Sequence, residues 1–163
     1  MVNWLNKLIK SGERIKAAIR KRATKEELSK SNYVSCCKGL VSKKEIASNY
    51  HTCPYCSKHF KVTPAERFGY LFDSGIYETF KTPIPKDDPL QFVAAKAYID
   101  QLKSARKKTG LDCSMVVASG EINKIKCTAV ASDWSFLGSS IEAAEGESIL
   151  FAALHAIENR QPL

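Results

Sequence analysis

The sequence lacks any long hydrophobic run, and this lack excludes a membrane-spanning protein as a class. No stretch of the 163 residues approaches the roughly 18 consecutive apolar residues that a membrane-spanning helix requires. The first residues, Met1–Leu5, also lack the charged leader and the apolar core of a secretory signal. We therefore expect a protein of a reducing compartment, with no membrane partner.

Acidic residues are scarce in the N-terminal third of the chain. Residues 1–60 contain 13 Lys and Arg against 4 Asp and Glu, whereas residues 61–163 contain 12 against 13, so the first segment carries the whole excess behind the net charge of +8. Apolar residues recur at helical spacing over residues 4–19, which predicts a basic amphipathic helix and linker over residues 1–30. Such a segment can attract nucleic acid, phosphorylated ligands or an acidic partner, or be only a solvated basic face.

Aliphatic side chains are few in residues 31–60, so burying them cannot offset the entropy of ordering this segment. It therefore needs a stabilising cross-link. Cys53 and Cys56 form a C-x-x-C pair on a predicted tight turn, and Cys37 precedes Cys53 by 16 residues, a spacing that is normal for a zinc ribbon. The sequence therefore predicts a small zinc ribbon over residues 31–60, with Cys36, Cys37, Cys53 and Cys56 as ligands.

The first cysteine pair leaves the fourth ligand open, because its members are adjacent. Neighbouring side chains diverge, so Cys36 and Cys37 can bind one ion together only if the local backbone is unusual. Cys36 is the uncertain member, and His51, His59 or water are alternatives. Two readings without zinc stay open: a redox C-x-x-C, which would need a preceding strand and a long following helix, and cysteines left over from a degraded site.

Three helices are predicted in residues 61–163, which have the pattern of a compact domain. Thr63–Glu66 is a capping box that begins the first helix, and Gly110 ends the second. The third helix follows a polar stretch that ends at Ser140. The first helix is predicted to bury Phe68, Leu71 and Phe72. The second is predicted to bury Phe92, Ala95, Ile99 and Leu102, and the third Ile149, Ala152, Ala153, Ala156 and Ile157.

A β-hairpin is predicted between the second and third helices. Two β-rich runs, residues 114–122 and 125–134, are separated by Asn123-Lys124, a turn signal. Cys113 and Cys127 lie beside these runs and are predicted to be buried thiols. The element order from residue 63 is thus helix, helix, strand, strand, helix, which is an α+β fold class.

Several motifs, spread in order along the chain, resemble one known family. They are Asn3-Trp4-Leu5, the basic segment Arg20–Glu27, Cys53-Pro54-Tyr55-Cys56, Thr63–Arg67, Pro85–Phe92, Tyr98–Leu102, Lys107–Leu111, Asp133–Gly138 and Gly146-Glu147. Together they resemble the N-terminal portion of the β subunit of the bacterial-type acetyl-coenzyme A carboxylase carboxyltransferase. The resemblance implies a zinc ribbon followed, over residues 61–163, by the first part of a crotonase-like domain made of strand-strand-helix units.

The same resemblance implies an activity and its partners. Family members transfer the carboxyl group from carboxybiotin on a carrier protein to acetyl-CoA, which gives malonyl-CoA for fatty-acid synthesis. They work as an α2β2 assembly with an α subunit, beside biotin carboxylase and the biotin carboxyl carrier protein, in the cytoplasm or the plastid stroma. The implied cofactors are a structural Zn²⁺ and biotin carried by the partner, with acetyl-CoA as substrate. Backbone N–H groups stabilise the thioester enolate in such enzymes, so no catalytic or cofactor-binding side chain is predicted.

Departures from the family pattern affect both the metal site and the acyl-CoA site. Cys37 falls on the second family ligand, whereas Val34 occupies the position of the first. Where the family reads Met-Gly-Gly-Ser-Met-Gly, this chain has Leu137–Glu142, so Ser139 and Glu142 replace glycines. The family domain runs for well over 100 residues beyond the position of Leu163, so we expect a fragment, a split gene product or a remnant that is inactive alone.

Two other functions remain open at this point. One is a non-catalytic basic zinc ribbon that binds nucleic acid, since aromatic residues are interleaved with the excess positive charge of residues 1–60. The other is a subunit of a related biotin-dependent carboxylase or decarboxylase that uses a different acyl-CoA. The basic turn Arg106–Lys108 could contact CoA phosphates or be a solvated helix end.

Overall fold

The computed structural model describes residues 32–36 and 39–163. The predicted N-terminal helix and Cys37 lie outside the described residues. The chain divides into two compact units, one ending at Phe60 and one comprising Lys61–Leu163. In the described ranges no helix combines the length and the apolar character needed to cross a bilayer.

The small unit is a hairpin followed by one helix and a turn. Strands β1 (Tyr33–Cys36) and β2 (Gly39–Ser42) pair antiparallel, and helix α1 (Lys43–Ser48) follows at once. Its core is small and consists largely of thiols and single aliphatic side chains: Cys36, Val41, Ile46 and Cys53, with Val34, Cys56 and Phe60 packed against them. The sequence pattern did not predict this hairpin or α1, because the strands are only four residues long.

The large unit is built on a three-stranded antiparallel sheet in the order β3 (Tyr77–Phe80), β4 (Met115–Ile122), β5 (Ile125–Ser132). The predicted hairpin is confirmed as β4 and β5. Its turn residues, Asn123 and Lys124, have positive φ values of 51° and 65°. The Asp73 carboxylate accepts the backbone N–H groups of both, at 3.0 and 2.8 Å.

Helix α2 (Pro64–Leu71) packs on one face of this sheet. Its predicted capping box is confirmed, since Thr63 and Glu66 each accept the other's backbone N–H. Phe68 and Phe72 are buried as predicted, but Leu71 is 39% exposed, which corrects the prediction for that residue. The α-helical spacing of 68 and 72 places them on the sheet face, and Leu71 lies to one side of it.

Helix α3 (Tyr98–Thr109) begins later than predicted. Phe92 and Ala95 therefore lie outside it and are exposed, whereas Leu102 is buried as expected. The cause is local: Asp88 accepts the N–H of Phe92 at 2.8 Å, which holds residues 88–92 in a turn. Gly110 ends the helix in the left-handed conformation (φ 73°), as predicted.

Helix α4 (Ala143–Glu158) packs against β4 and β5 from the second face of the sheet. Ala152 and Ala156 are buried as predicted. Ile149 and Ile157 are exposed, at 38% and 72%, so the prediction for these two was wrong. Small side chains let the helix approach the sheet closely, and the larger aliphatic ones consequently lie on its outer side.

Strand β3 was not predicted, because the predicted element order has no strand between the first two helices. The fold from residue 63 is therefore helix, strand, helix, strand, strand, helix. The aromatic ring of Tyr77 packs between those of Phe68 and Phe72, with centroids 5.4 and 5.8 Å away. These tertiary ring contacts, rather than the short local pattern Tyr77–Phe80, stabilise the strand.

Candidate metal centre

Three of the predicted ligands come together in the small unit. The Sγ atom of Cys36 lies 3.3 Å from that of Cys53 and 3.1 Å from that of Cys56. Cys36 and Cys53 are buried and Cys56 is half-buried, and all three are free thiols rather than disulfides. Thiolates about 2.3 Å from a tetrahedral zinc ion lie roughly 3.8 Å apart, so a small outward movement of the Sγ atoms would admit an ion. The cluster can therefore hold a metal.

The backbone of the C-x-x-C segment aims Cys53 and Cys56 at the same point. The N–H of Cys53 donates to the carbonyl of Lys58, and the N–H of Ser57 donates to the carbonyl of Cys53, both at 2.9 Å. Ser57 adopts a positive φ of 59°, which closes the turn. This is the tight turn that the Pro54-containing motif predicted.

Cys36 reaches the cluster because of its place in β1. Side chains two residues apart in a strand lie on the same face. Val34 and Cys36 thus both face the cluster, and the intervening Ser35 is exposed. Cys36 lies at the end of the strand, opposite Gly39.

The two candidate histidines, His51 and His59, are not part of this group. Among residues 32–36 and 39–163, the three cysteines are the one group of three or more ligand residues whose ligand atoms all lie within 4.8 Å of one another. The Nδ1 atom of His59 lies 3.3 Å from the hydroxyl of Thr52. His51 is outside the group as well, and Cys37 belongs to the undescribed pair of residues between β1 and β2.

A polar contact that the sequence pattern did not predict joins the C-x-x-C turn to α1. The hydroxyl of Tyr55 donates to the Glu45 carboxylate at 3.0 Å. This hydrogen bond and the negative charge of Glu45 raise the pKa of Tyr55 above its ordinary value. Tyr55 lies within the C-x-x-C motif, but only the fold brings Glu45, ten residues earlier, within reach.

The basic turn at the end of α3 has a structural partner. The guanidinium of Arg106 donates both terminal nitrogens to the Asp87 carboxylate, one of them at 2.8 Å, and its Nε donates to the carbonyl of Asp112. This pairing lowers the pKa of Asp87. Arg106 is thus engaged within its own unit, whereas Lys107 and Lys108 are exposed.

A cleft of about 410 Å³ in the large unit lies beside the Arg106–Asp87 pair. The first turn of α4 lines it with Glu142 and Glu145. Burial, and next the charge of Glu145, raise the pKa of Glu142. Glu145 is 3% exposed and accepts the backbone N–H of Ser114 at 2.8 Å, so it joins the start of α4 to the start of β4. The sequence pattern did not reveal this buried carboxylate.

Fold and site together define a class: a mixed helix and strand protein with a three-cysteine cluster that can bind a metal. The comparisons with known proteins show which particular proteins this chain is similar to. The chain is 51% identical, over 161 residues, to a protein of Pelagibacter ubique named acetyl-coenzyme A carboxylase carboxyl transferase subunit beta. The chain is thus homologous to these β subunits over nearly its whole length, and the resemblance predicted from the sequence is confirmed.

Two further relatives show the same similarity. A Dinoroseobacter shibae protein of the same name is 34% identical over 164 residues, which is 99% of this chain. A Parafrankia protein named for subunits beta/alpha is 36% identical over 149 residues, which is 90% of this chain and 24% of that protein. No protein-family model matches.

The match covers only part of each relative. The aligned segment is 99% of this chain but 52% of the Pelagibacter protein and 49% of the Dinoroseobacter protein. The chain therefore spans about half the length of these relatives.

Proposed function

We propose that the chain supplies the metal-binding unit and the first part of the catalytic domain of a carboxyltransferase β subunit. In this role it takes part in transferring the carboxyl group from carboxybiotin to acetyl-CoA, which gives malonyl-CoA. The observation that carries the proposal is the 51% identity along 99% of the chain. The proposed partners are an α subunit, in an α2β2 assembly, with biotin carboxylase and the biotin carboxyl carrier protein, in the cytoplasm or the plastid stroma.

The proposal includes a fold and a mechanism. The β4-β5-α4 succession is the strand-strand-helix unit of a crotonase-like domain, and backbone N–H groups stabilise the enolate of acetyl-CoA. No side chain of this chain is assigned to catalysis. The engaged guanidinium of Arg106 supports the view that this turn is structural rather than a CoA-phosphate site.

A chimera tests the activity. The 163-residue chain would replace the matching segment of the Pelagibacter β subunit, and the chimera would be purified with the Pelagibacter α subunit. We expect malonyl-CoA formation from acetyl-CoA and carboxybiotin with the chimera, and none with the 163-residue chain alone. A folded chimera with no turnover would contradict the proposal.

We further propose that the metal is a structural Zn²⁺ bound by Cys36, Cys53 and Cys56, with Cys37 as the fourth ligand. Three buried or half-buried thiols on two short elements support this ligand set, since Cys-rich tetrahedral sites are typical of structural zinc. Zinc would supply most of the folding free energy of a unit with so small an apolar core.

Metal content per chain tests this ligand set. We expect one zinc per wild-type chain, and a loss of zinc in Cys36→Ser under mild chelation. Cys127→Ser, which changes a buried thiol in the other unit, is the matched control and should retain zinc. Retention of zinc by Cys37→Ser would remove Cys37 from the ligand set and leave the three-cysteine core.

A specific observation supports nucleic-acid binding as a second candidate function. Tyr50 and Tyr55 of the small unit are 68% and 55% exposed, and Lys44 and Lys58 are exposed too. Exposed rings can stack on bases while lysines contact phosphates. Anisotropy of a labelled single-stranded RNA measures this: binding should fall steeply between about 50 and 200 mM salt. An RNA that does not bind at low salt removes this candidate.

A further inference from the structure

Glu145, in the first turn of α4, is a buried carboxylate with backbone partners in two different segments. One of its oxygens accepts the N–H of Ser114 at 2.8 Å, and the other accepts the N–H of Glu142 at 3.2 Å. Glu145 is 3% exposed and Ser114 is fully buried, so these bonds are shielded from water. Hydrogen bonds to a carboxylate in such surroundings are stronger than those between neutral groups. Glu145 therefore fixes the start of α4 against the residue that precedes β4.

Ser114 also holds the first end of the segment that connects β5 to α4. We call this segment, residues 133–142, the β5–α4 loop. The carbonyl of Ser114 accepts the N–H of Asp133 at 2.8 Å. Asp133 is 8% exposed, and its carboxylate accepts the N–H of Ser135 at 2.7 Å. Both ends of the loop are thus attached to one buried residue, the first through Asp133 and the last through Glu145.

The middle of the β5–α4 loop has a strained backbone. Three consecutive residues, Leu137, Gly138 and Ser139, have positive φ values of 45°, 72° and 61°. Glycine adopts this left-handed region at no steric cost, whereas Leu137 and Ser139 have side chains that make it unfavourable. Strain of this kind persists where the surrounding structure imposes it, and it is concentrated at binding and active sites. The two attached ends supply that constraint.

Both segments that Glu145 joins also line the cleft of about 410 Å³. Asp112 and Cys113, just before Ser114, contribute to its lining, and so do Phe136 and residues 142–145. The bond between Glu145 and Ser114 consequently fixes the relative position of two parts of the lining. Loss of this bond would change the shape of the cleft together with the conformation of the loop.

We propose that Glu145 is a positioning residue for acyl-CoA binding by the β subunit. It acts through the β5–α4 loop, which it holds in the conformation that binds the substrate, so that acyl-CoA does not have to order the loop. The inference rests on the proposed function, because it is the resemblance that implies an acyl-CoA site at Leu137–Glu142. If the binding conformation is populated only in part, the apparent affinity falls by that fraction.

Glu145→Gln tests the proposal, because glutamine keeps the size of the side chain but has one acceptor oxygen. Its NH₂ group would face one of the two N–H donors, so one attachment would be lost. The variant would be made in the chimera with the Pelagibacter segment and purified with the α subunit. We expect acetyl-CoA to bind about tenfold more weakly by calorimetry, and its KM to rise by a similar factor. The kcat and the KM for carboxybiotin should stay near the wild-type values.

Amide exchange of the 163-residue chain adds a readout that does not depend on turnover. In Glu145→Gln, residues 133–142 should exchange about tenfold faster, whereas β4 and β5 should keep their protection. Glu147→Gln is the matched control, since it removes the same charge two residues further along α4 from a side chain that is only half-buried. It should leave both the binding of acetyl-CoA and the exchange of the loop unchanged.

Three outcomes would overturn the proposal. One is equal affinity of the wild-type and Glu145→Gln chimeras for acetyl-CoA, and another is an equal rise in the KM for carboxybiotin. The third is faster exchange throughout β4 and β5, which would mean that Glu145 has a structural role alone.

Failure of this proposal is distinguishable from failure of the proposed function. A wild-type chimera that binds acetyl-CoA without turnover would remove the proposed function, while weaker binding by Glu145→Gln would still support the positioning role. Turnover that is insensitive to Glu145→Gln would do the reverse. A folded wild-type chimera that does not bind acetyl-CoA would contradict both.

Discussion

At the scale of single residues, the three-cysteine cluster forms because side chains two residues apart in β1 lie on the same face. The resemblance implies that Val34 falls at the position of a family ligand, and Cys36, two residues further along the strand, lies on the same face. A thiol at Cys36 instead of at residue 34 therefore lies further along the strand but still faces Cys53 and Cys56. In the sequence Cys36 was the doubtful ligand, because adjacency to Cys37 argued against it and the hairpin that orients it was not predicted.

Ser139 illustrates the cost of replacing a glycine. It adopts a positive φ of 61°, at a position where the resemblance implies glycine. A side chain in this left-handed region costs roughly 1 kcal/mol, so Ser139→Gly should raise the free energy of unfolding by about that amount. Urea unfolding measures it. Ser140→Gly, at a φ of −58°, is the control and should destabilise slightly. Equal effects of both changes would contradict a backbone cause.

The Arg106–Asp87 pair makes stability depend on pH. The pKa of Asp87 is lowered in the folded chain, so the pair stabilises the fold above the ordinary carboxyl pKa and loses this effect as the pH falls through the lowered pKa. Asp87→Asn should cost about 1 kcal/mol at neutral pH, because the pair is bidentate and only partly exposed. The difference between variant and wild type should shrink below about pH 4.

Unfolding curves at several pH values measure this dependence. Glu78→Gln, at an exposed carboxylate of the same unit, is the control and should show no comparable loss at neutral pH. A loss in Asp87→Asn that stays constant down to pH 2 would indicate a packing role for Asp87 instead of an ionic one.

At the scale of elements, the sequence pattern predicted the structure correctly wherever the structure depends on neighbouring residues alone. The capping box of α2, the Gly110 end of α3 and the hairpin of β4 and β5 each depend on residues adjacent in sequence, and each was predicted correctly. Strand β3 and the buried face of α4 depend on contacts with distant residues. Tyr77 packs against α2, and the burial of Ser148 and Glu145 in place of isoleucine follows from close approach to the sheet.

Gly120 of β4 permits the packing of the sheet against the segment that follows α2. A Cβ atom at this position would lie 2.6 Å from the Phe72 ring and 2.9 Å from the carbonyl oxygen of Ile76. Gly120→Ala should therefore destabilise the chain by about 2–3 kcal/mol through overpacking. Gly146→Ala is the matched control: its Cβ would meet open space within α4, and it should stabilise by roughly 0.5–1 kcal/mol. Thermal unfolding of the two variants should give shifts of opposite sign.

At the scale of the whole molecule, the two units have different sources of stability. The large unit has a sheet covered on both faces, with Phe68, Phe72 and Phe136 nearly or fully buried. The small unit has few buried aliphatic side chains, chiefly Val41 and Ile46, around its thiols. The amino-acid composition alone predicted this contrast, because a segment so poor in aliphatic residues needs a stabilising cross-link.

Metal removal should consequently unfold one unit and spare the other. A strong zinc chelator added to the full 163-residue chain should abolish amide protection in residues 39–60, because the proposed zinc replaces the missing apolar core. Protection of β4 and β5 should persist, since the aromatic cluster of the large unit contains no metal ligand. Hydrogen exchange read by mass spectrometry resolves both regions in one sample.

Added zinc should restore protection, and added magnesium, which prefers oxygen ligands, should not. Loss of protection in β4 and β5 on chelation would mean that the large unit depends on the metal too, and unchanged protection in residues 39–60 would mean that the small unit needs no metal to fold.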